Sequence, residues 1–116
     1  MSKLHRVLAA VDFSEPARAA FDHGLALSRL HDAELLVVHA VPTARAFKSD
    51  GRERVALIGS LRHAARKAGV RIKVSVQHGD PAGVILLHAN SRRADLIVLG
   101  SSKRPGLDRF RFGSVA

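Results

Sequence analysis

The feature that most constrains the fold of this chain is an alternation between short, continuous apolar runs and longer segments whose apolar residues repeat at helical spacing. The apolar runs are Leu4–Val11, Ala33–Val41, Val70–Val76 and Asp95–Leu99. Continuous apolarity is typical of strands covered on both faces, as in a parallel sheet. The third run differs, because Val and Ile alternate in it with Arg, Lys and Ser, and it predicts a more exposed strand.

Three helices are predicted between these strands. The first follows Ser14, the second covers Glu53–Ala68, and the third begins after Asp80 and fades at Asn90. Residues that favour helix ends support these bounds. Ser14 with Pro16 favours the start of the first helix, Gly69 the end of the second, and Asp80 with Pro81 the start of the third. Residues 42–51 are polar apart from Phe47 and predict a loop.

The resulting order, β-α-β-α-β-α-β, predicts right-handed crossovers and a Rossmann-like open parallel sheet with helices on both faces. We expect the strand order 3-2-1-4, with the first and fourth strands adjacent in the centre. Ligands of such sheets bind at the carboxyl ends of the strands, where the strand order reverses. Asp12, Val41 and the segment that begins at Gly100 follow those ends, so we expect them to line one cleft.

Composition narrows the class of protein. The chain has 116 residues, the size of one domain, and no cysteine, which excludes disulfides and thiol chemistry. No apolar run reaches the roughly 20 residues needed to cross a bilayer, and the first residues lack the pattern of a signal peptide. We therefore expect a cytoplasmic protein that does not enter the membrane. The aromatic residues are five Phe, so stacking platforms for single-stranded nucleic acid are scarce.

The formal net charge of +9 favours anionic partners, namely nucleotide phosphates, nucleic acid or an acidic protein surface. Lys103, Arg104, Arg109 and Arg111 crowd the C-terminal segment beside several glycines. This cluster has two interpretations, a phosphate site and a solvated basic face.

The C-terminal segment has the composition of a phosphate-binding loop. Its glycines would let backbone N–H groups approach phosphate oxygens closely. A helix starting near Ser114 would add its N-terminal N–H groups, and the Ser114 hydroxyl could donate to a phosphate. A glycine-rich turn without a ligand is the alternative.

Five segments together resemble one known family. They are Val7–Ser14, Leu36–Val41, Gly79–Pro81, Ala94–Gly100 and Gly113–Ala116. In their order and spacing the chain resembles the universal stress protein family over all 116 residues. The resemblance implies a stress-response regulatory protein that binds an adenine nucleotide, ATP or AMP, at the carboxyl edge of the sheet.

The resemblance also implies roles for individual residues. Asp12 would lie near the ribose or near a phosphate-bound Mg²⁺, and the Val41 backbone would meet the adenine. In nucleotide-binding members the last strand is followed by G-x-x-G, nine residues, and G-[S/T]. Gly100, Gly113 and Ser114 match this pattern, and with Val115 they would hold the phosphates.

Lys103 stands where the family pattern has its second glycine. A side chain at this position could block the close approach of phosphate, or its ammonium could replace the lost contact by pairing with phosphate. Arg104 adds a second cation beside it. If the pocket is empty, the alternative function is binding of nucleic acid or of an acidic protein through the basic surface. ATP hydrolysis ranks last, because no general base or water-positioning residue can be named, and His39 is expected to be a satisfied core histidine.

The family fold continues beyond the residues printed here. Its last helix and fifth strand would follow Ser114, whereas the chain stops at Ala116. We therefore expect a single domain, residues 1–116, that lacks this helix and strand. The resemblance implies a homodimer through the fifth strand. Without that strand, the Asp95–Leu99 strand would expose an unpaired edge and promote association.

Overall fold

The computed structural model of the chain describes residues 3–41, 43–100 and 110–114. The elements, in chain order, are β1 (Arg6–Ala10), α1 (Glu15–His31), β2 (Glu34–Val41), α2 (Ala44–Ser49), α3 (Gly51–Ala68), β3 (Ile72–His78), α4 (Pro81–Ser91), β4 (Leu96–Gly100) and β5 (Phe110–Ser114).

The sheet has the order β3-β2-β1-β4-β5, in which the first four strands are mutually parallel. Leu8 of β1 is paired with Leu36 on one side and with Ile97 on the other. The predicted parallel sheet in the order 3-2-1-4 is therefore confirmed. Because these strands run the same way, the ends of β1, β2 and β4 lie at one edge of the sheet.

Two apolar cores cover the two faces of the sheet. On one face, Val7 and Ala9 of β1 pack with Phe21 of α1 and Leu61 of α3. On the other face, Leu8 packs in a second cluster with Ala89 of α4 and with residues of β2 and β4. Side chains of successive residues in β1 therefore point to opposite faces of the sheet, as the pleat of a strand requires. Both faces of the central strands are covered by helices.

The helix ends follow the predicted caps. The Ser14 hydroxyl accepts a hydrogen bond from Ala17 N–H at 3.3 Å, and the Asp80 carboxylate accepts one from Gly83 N–H at 3.1 Å. Gly69 ends α3 with φ 70°, a left-handed conformation that glycine adopts without steric cost. These local signals fix where three of the four helices begin or end.

One helix was not predicted. The segment expected to be a loop contains α2, which Thr43 caps by accepting from Ala46 N–H at 3.0 Å. None of its residues is buried, so it has no apolar periodicity that a sequence could reveal. Arg54 of α3 holds it in place, because its guanidinium donates to the Phe47 carbonyl oxygen and lies 4.2 Å from the centre of the Phe47 ring.

The C-terminal segment also differs from the prediction. Phe110–Ser114 forms β5, which pairs antiparallel with β4, so the expected helix start at Ser114 is wrong and so is the expected unpaired edge of β4. The physical reason is that an open strand edge presents unpaired N–H and C=O groups, and a returning segment satisfies them. Alternation of Phe with Arg in this segment suits a strand.

Asp95 attaches β4 to the start of β1. Its carboxylate accepts hydrogen bonds from His5 N–H at 2.7 Å and from Arg6 N–H at 3.0 Å, while its own N–H donates to the Arg6 carbonyl at 2.8 Å. The bonds from Arg6 and His5 to the charged carboxylate lower the pKa of Asp95 below its usual value. The central strand pair is therefore fixed at its amino end by an ionised side chain.

Candidate functional site at the carboxyl edge of the sheet

Asp12 is the first residue of the candidate site. It is exposed and follows Val11, whose N–H donates to the Val38 carbonyl at 2.9 Å beyond the last strand pair of β1. The Asp12 carboxylate accepts a hydrogen bond from Ser14 N–H at 2.8 Å. One carboxylate oxygen is thus held by the turn into α1, which leaves the other available as an acceptor.

Phe13 and His39 form an aromatic pair beside Asp12. Their ring centres are 5.3 Å apart in an edge-to-face arrangement. His39 is buried, and its Nδ1 lies 3.0 Å from the Val11 carbonyl oxygen. Because a carbonyl only accepts, Nδ1 carries the proton, and the histidine is a satisfied core residue as expected. Phe13 is 43% exposed, so it presents an apolar ring at this edge.

Val41 ends β2 at the same edge. Its side chain is buried, and its carbonyl oxygen accepts from Gly79 N–H at 3.1 Å. Gly79 has φ 139°, a conformation that glycine adopts most readily, and it leads into the Asp80 cap of α4. The second lone pair of the Val41 carbonyl is still able to accept a hydrogen bond.

Gly100 ends β4 against the first turn of α1. A Cβ built on Gly100 would collide with the Pro16 carbonyl group and would lie 2.8 Å from Ala17 N. The close approach of this helix explains the glycine without any ligand. It also connects two predicted site residues, because the turn that holds Asp12 is the one that leads into this part of α1.

The charges at the start of α1 limit what the edge can bind. The N–H groups of Ala17 and Arg18, at the start of α1, already have partners. Ala17 N–H donates to the Ser14 hydroxyl, Arg18 N–H donates to the Ser14 carbonyl at 3.2 Å, and Pro16 has no N–H. Asp12 and Glu15 place two carboxylates there. This end of α1 therefore suits hydroxyl donors or a bound cation better than a bare phosphate.

The structure separates the predicted phosphate residues from Gly100. Gly113 and Ser114 pair with Ile97 and Leu96, at the amino end of β4. At about 3.3 Å per residue, this lies roughly 10–13 Å along the strand from Gly100. The cause is that β5 runs antiparallel to β4, so the end of β5 lies beside the start of β4. Lys103, Arg104 and Val115, the other predicted phosphate contacts, lie outside the described residues.

Sequence reasoning predicted Asp12, Val41 and Gly100 as site residues, and the structure brings the ends of the strands that they end or follow to one edge. It did not name Phe13, whose exposed ring also lies at this edge and whose only signal in the sequence was its place next to Asp12. Within residues 3–41, 43–100 and 110–114 there is no group of three or more His, Asp or Glu side chains that could hold a metal ion. The helices in this part of the chain include none long and apolar enough to cross a membrane.

An open parallel sheet of this order, with α1 and α3 on one face and α4 on the other, places the chain in the Rossmann-like α/β class. The model of the universal stress protein family matches residues 3–116. The chain belongs to this family. Universal stress protein MJ0531 of Methanocaldococcus jannaschii is 26% identical over an alignment that covers 96% of this chain and 72% of that protein.

Solved structures share the fold. A universal stress protein in complex with cAMP superposes with a TM-score of 0.72 at 21% identity, covering 91% of this chain and 79% of that chain. A universal stress protein family member from Arabidopsis thaliana with AMP bound superposes with a TM-score of 0.66 at 21% identity, covering 88% and 79% of the two chains.

Proposed function

We propose that this chain is a stress-response regulatory protein that binds an adenine nucleotide, ATP or AMP, at the carboxyl edge of its sheet. The observation that carries the proposal is the exposed Asp12 carboxylate, held by Ser14 N–H at the edge where open parallel sheets bind their ligands. The related folds that hold cAMP and AMP support an adenine nucleotide as the ligand class.

The groups at this edge match the parts of a nucleoside. The Asp12 carboxylate would accept hydrogen bonds from the ribose hydroxyls. The half-exposed Phe13 ring would offer the base an apolar contact, where stacking contributes about 1–3 kcal/mol. The Val41 carbonyl would accept from the adenine amino group with its second lone pair.

The phosphates would need the C-terminal segment. For Gly113, Ser114 and Val115 to reach the edge, with Lys103 and Arg104 beside them, β5 must leave β4. Nucleotide binding and the pairing of β5 would then exclude each other. If ATP binds with Mg²⁺, one carboxylate such as Asp12 is enough, because phosphates and water supply the other ligands.

The test is calorimetric titration of the protein with ATP and AMP. Asp12→Asn keeps the acceptor for Ser14 N–H and removes the charge. A charge-assisted hydrogen bond is worth about 1 kcal/mol more than a neutral one, so we expect roughly fivefold weaker binding. Asp22→Asn, the same change at an exposed residue in the middle of α1, should bind like wild type. Absence of saturable binding by wild type, or equal losses in both variants, would overturn the proposal.

A second candidate function is favoured by the net charge of +9 and by the exposed basic face of α3. This face carries Arg62, His63, Arg66 and Lys67, all of them exposed. It would bind nucleic acid or an acidic protein, and it does not depend on a nucleotide. Association of this kind weakens with rising salt.

A further inference from the structure

Helices α1 and α3 lie side by side on one face of the sheet and leave a groove between their carboxyl-terminal halves. They are bridged by Arg18, in the first turn of α1, whose guanidinium donates to the hydroxyl of Ser60, near the middle of α3, at 2.8 Å and pairs with Asp22 at 3.4 Å. Beyond this bridge lies a groove of about 600 Å³. It lies toward the amino edge of the sheet, away from Asp12 and Val41.

The α1 side of the groove is one stripe of the helix. Its residues follow the spacing i, i+3, i+4, i+7, i+8 and are Asp22, Leu25, Ala26, Arg29 and Leu30. Ala68 lines the opposite side. Leu30 is 79% exposed, although a leucine gains about 1.5–3 kcal/mol when it is fully buried. The groove is therefore open, with an apolar floor facing solvent.

Cations lie on both helices that border the groove. Arg29 lines the groove from α1. On α3, Ser60, Ala64 and Lys67 fall on one helical stripe, and the bond of Ser60 to Arg18 shows that this stripe faces α1. Across the described part of the chain, neither Arg29 nor Lys67 takes part in an ion pair.

We infer that this groove docks an acidic amphipathic segment of a partner protein. The apolar side of the segment would cover Leu25 and Leu30, and its carboxylates would pair with Arg29 and Lys67. Binding of the apolar face of an amphipathic helix in a hydrophobic groove is a recurring mode of peptide recognition. The inference deepens the second candidate function, because it names the site on the basic surface, and it is independent of nucleotide binding.

The openness of the groove and its charge favour this occupant. A small ligand is usually buried over most of its surface, which a floor ending in the exposed Leu30 does not provide. Like charges on a second copy of this chain, with a net charge of +9, would repel its approach. An acidic segment gains from both the apolar floor and the cations.

The experiment uses two labelled peptides and fluorescence anisotropy. One peptide is about 16 residues long, above the roughly 12–15 residues below which isolated helices are marginal, with Leu at helical spacing and Glu on its flanks. The other has Lys in place of every Glu. We expect saturable binding of the acidic peptide by wild type, weakened as salt rises, and no comparable binding of the basic peptide.

Two matched variants locate the binding. Leu30→Glu places a repelling charge on the groove floor and should weaken acidic-peptide binding at least about tenfold. Leu87→Glu makes the same change at a leucine that is 72% exposed on α4, on the other face of the sheet, and should have no such effect. Both positions are exposed, so neither variant is expected to unfold. Lys67→Gln should lower affinity and reduce its salt dependence.

The outcomes separate the groove from the basic surface as a whole. Equal losses of acidic-peptide affinity in Leu30→Glu and Leu87→Glu would show that the peptide does not bind in the groove. Non-specific binding by the basic surface would then remain as the explanation. No binding of the acidic peptide by wild type would overturn both. A wild-type dimer in sedimentation that Leu30→Glu converts to a monomer would show that the groove contacts a second copy and would also overturn the inference. ATP titration of the same variants reports nucleotide binding separately.

Discussion

A Cβ on Gly100 would meet the backbone of Pro16 and Ala17, and this contact shapes the proposed site at the level of single atoms. The end of β4 and the first turn of α1 can touch only because residue 100 has no side chain. The carboxyl end of β4 and the turn after Asp12 are therefore held at one place. The same glycine was predicted for a different reason, as part of a phosphate loop.

The first prediction follows from this contact. Gly100→Ala must push α1 away from β4, because the colliding atoms belong to the backbone and not to a flexible side chain. Overpacking of this kind costs about 1–3 kcal/mol. We expect the free energy of unfolding to fall by that amount in urea denaturation monitored by circular dichroism.

Gly59→Ala is the matched control. Gly59 is exposed in the interior of α3, and a Cβ there has nothing within 4 Å. Alanine favours a helix over glycine by about 0.5–1 kcal/mol, so the same substitution should stabilise the protein. If Gly100→Ala is as stable as wild type, the contact between β4 and α1 is not as tight as described.

At the scale of elements, Asp95 joins β4 to β1. Its ionised carboxylate accepts from His5 and Arg6 N–H, and these bonds are the main reason that the pKa of Asp95 is lowered. A carboxyl group whose pKa is lower in the folded state stabilises the fold above its unfolded pKa, about 3.9. The stabilisation is lost as the pH falls through the folded pKa.

The second prediction is the pH dependence of Asp95→Asn. At pH 7 the variant should be less stable than wild type by about 1 kcal/mol, the difference between charge-assisted and neutral hydrogen bonds. The gap should narrow as the pH falls below about 4, where wild type loses the charge as well. Urea denaturation at a series of pH values measures it.

Asp22→Asn is the control for this prediction. The Asp22 side chain is 58% exposed and pairs with Arg18 at the surface, where such pairs contribute about 0–1 kcal/mol. We expect little change in stability at any pH. A constant gap between Asp95→Asn and wild type from pH 7 to below pH 4 would contradict the role assigned to the Asp95 charge.

The sequence predicts the elements whose signals are local and repeated. Continuous apolar runs predicted three of the parallel strands, and alternation of apolar with polar residues predicted the other. Ser14, Gly69 and Asp80 predicted helix ends that the structure confirms. It could not predict α2, because a six-residue helix with no buried residue has no apolar period. It could not predict β5 either. That strand forms by pairing with the edge of β4, and such a pairing leaves no apolar pattern in the sequence of the strand itself.

The candidate site was predictable where it depends on topology and not where it depends on contacts between side chains. Topology alone predicted that Asp12, Val41 and Gly100 would follow strands ending at one edge. The pairing of Phe13 with His39 was not predictable, because it depends on how the β1 turn lies over β2. The places of Gly113 and Ser114 were predicted from a family pattern, whereas the structure places both beside the amino end of β4.

At the scale of the whole molecule, the net positive charge is large for a chain of 116 residues. The described residues span 44 × 32 × 28 Å, and the chain carries a net charge of +9. The ion pairs of this part of the chain join Arg6 and Lys73 to Glu34, and Arg18 to Asp22. The chain has 19 Lys and Arg against 10 Asp and Glu, so the excess positive charge repels itself, and this repulsion opposes the compact state.

The third prediction concerns this repulsion. The Debye length is about 30 Å at 0.01 M salt and about 8 Å at 0.15 M. At low salt every charge therefore acts across the molecule, and at physiological salt only neighbours interact. We expect Tm to rise by a few degrees between these concentrations of sodium chloride, since 1 kcal/mol corresponds to about 4–8 °C for a domain near this size.

A charge-reduced variant and a second salt separate screening from specific anion binding. Arg45→Gln combined with Arg62→Gln, both exposed, lowers the net charge from +9 by 2 to +7, and its Tm should rise less with salt because there is less repulsion to screen. Sodium sulfate at equal ionic strength should give the same rise as chloride if screening alone acts. A larger rise in sulfate would instead indicate a bound anion, because a ligand that binds only the folded state raises Tm. A Tm that stays flat or falls with sodium chloride would show that attractive pairs outweigh the repulsion, against the charge balance described here.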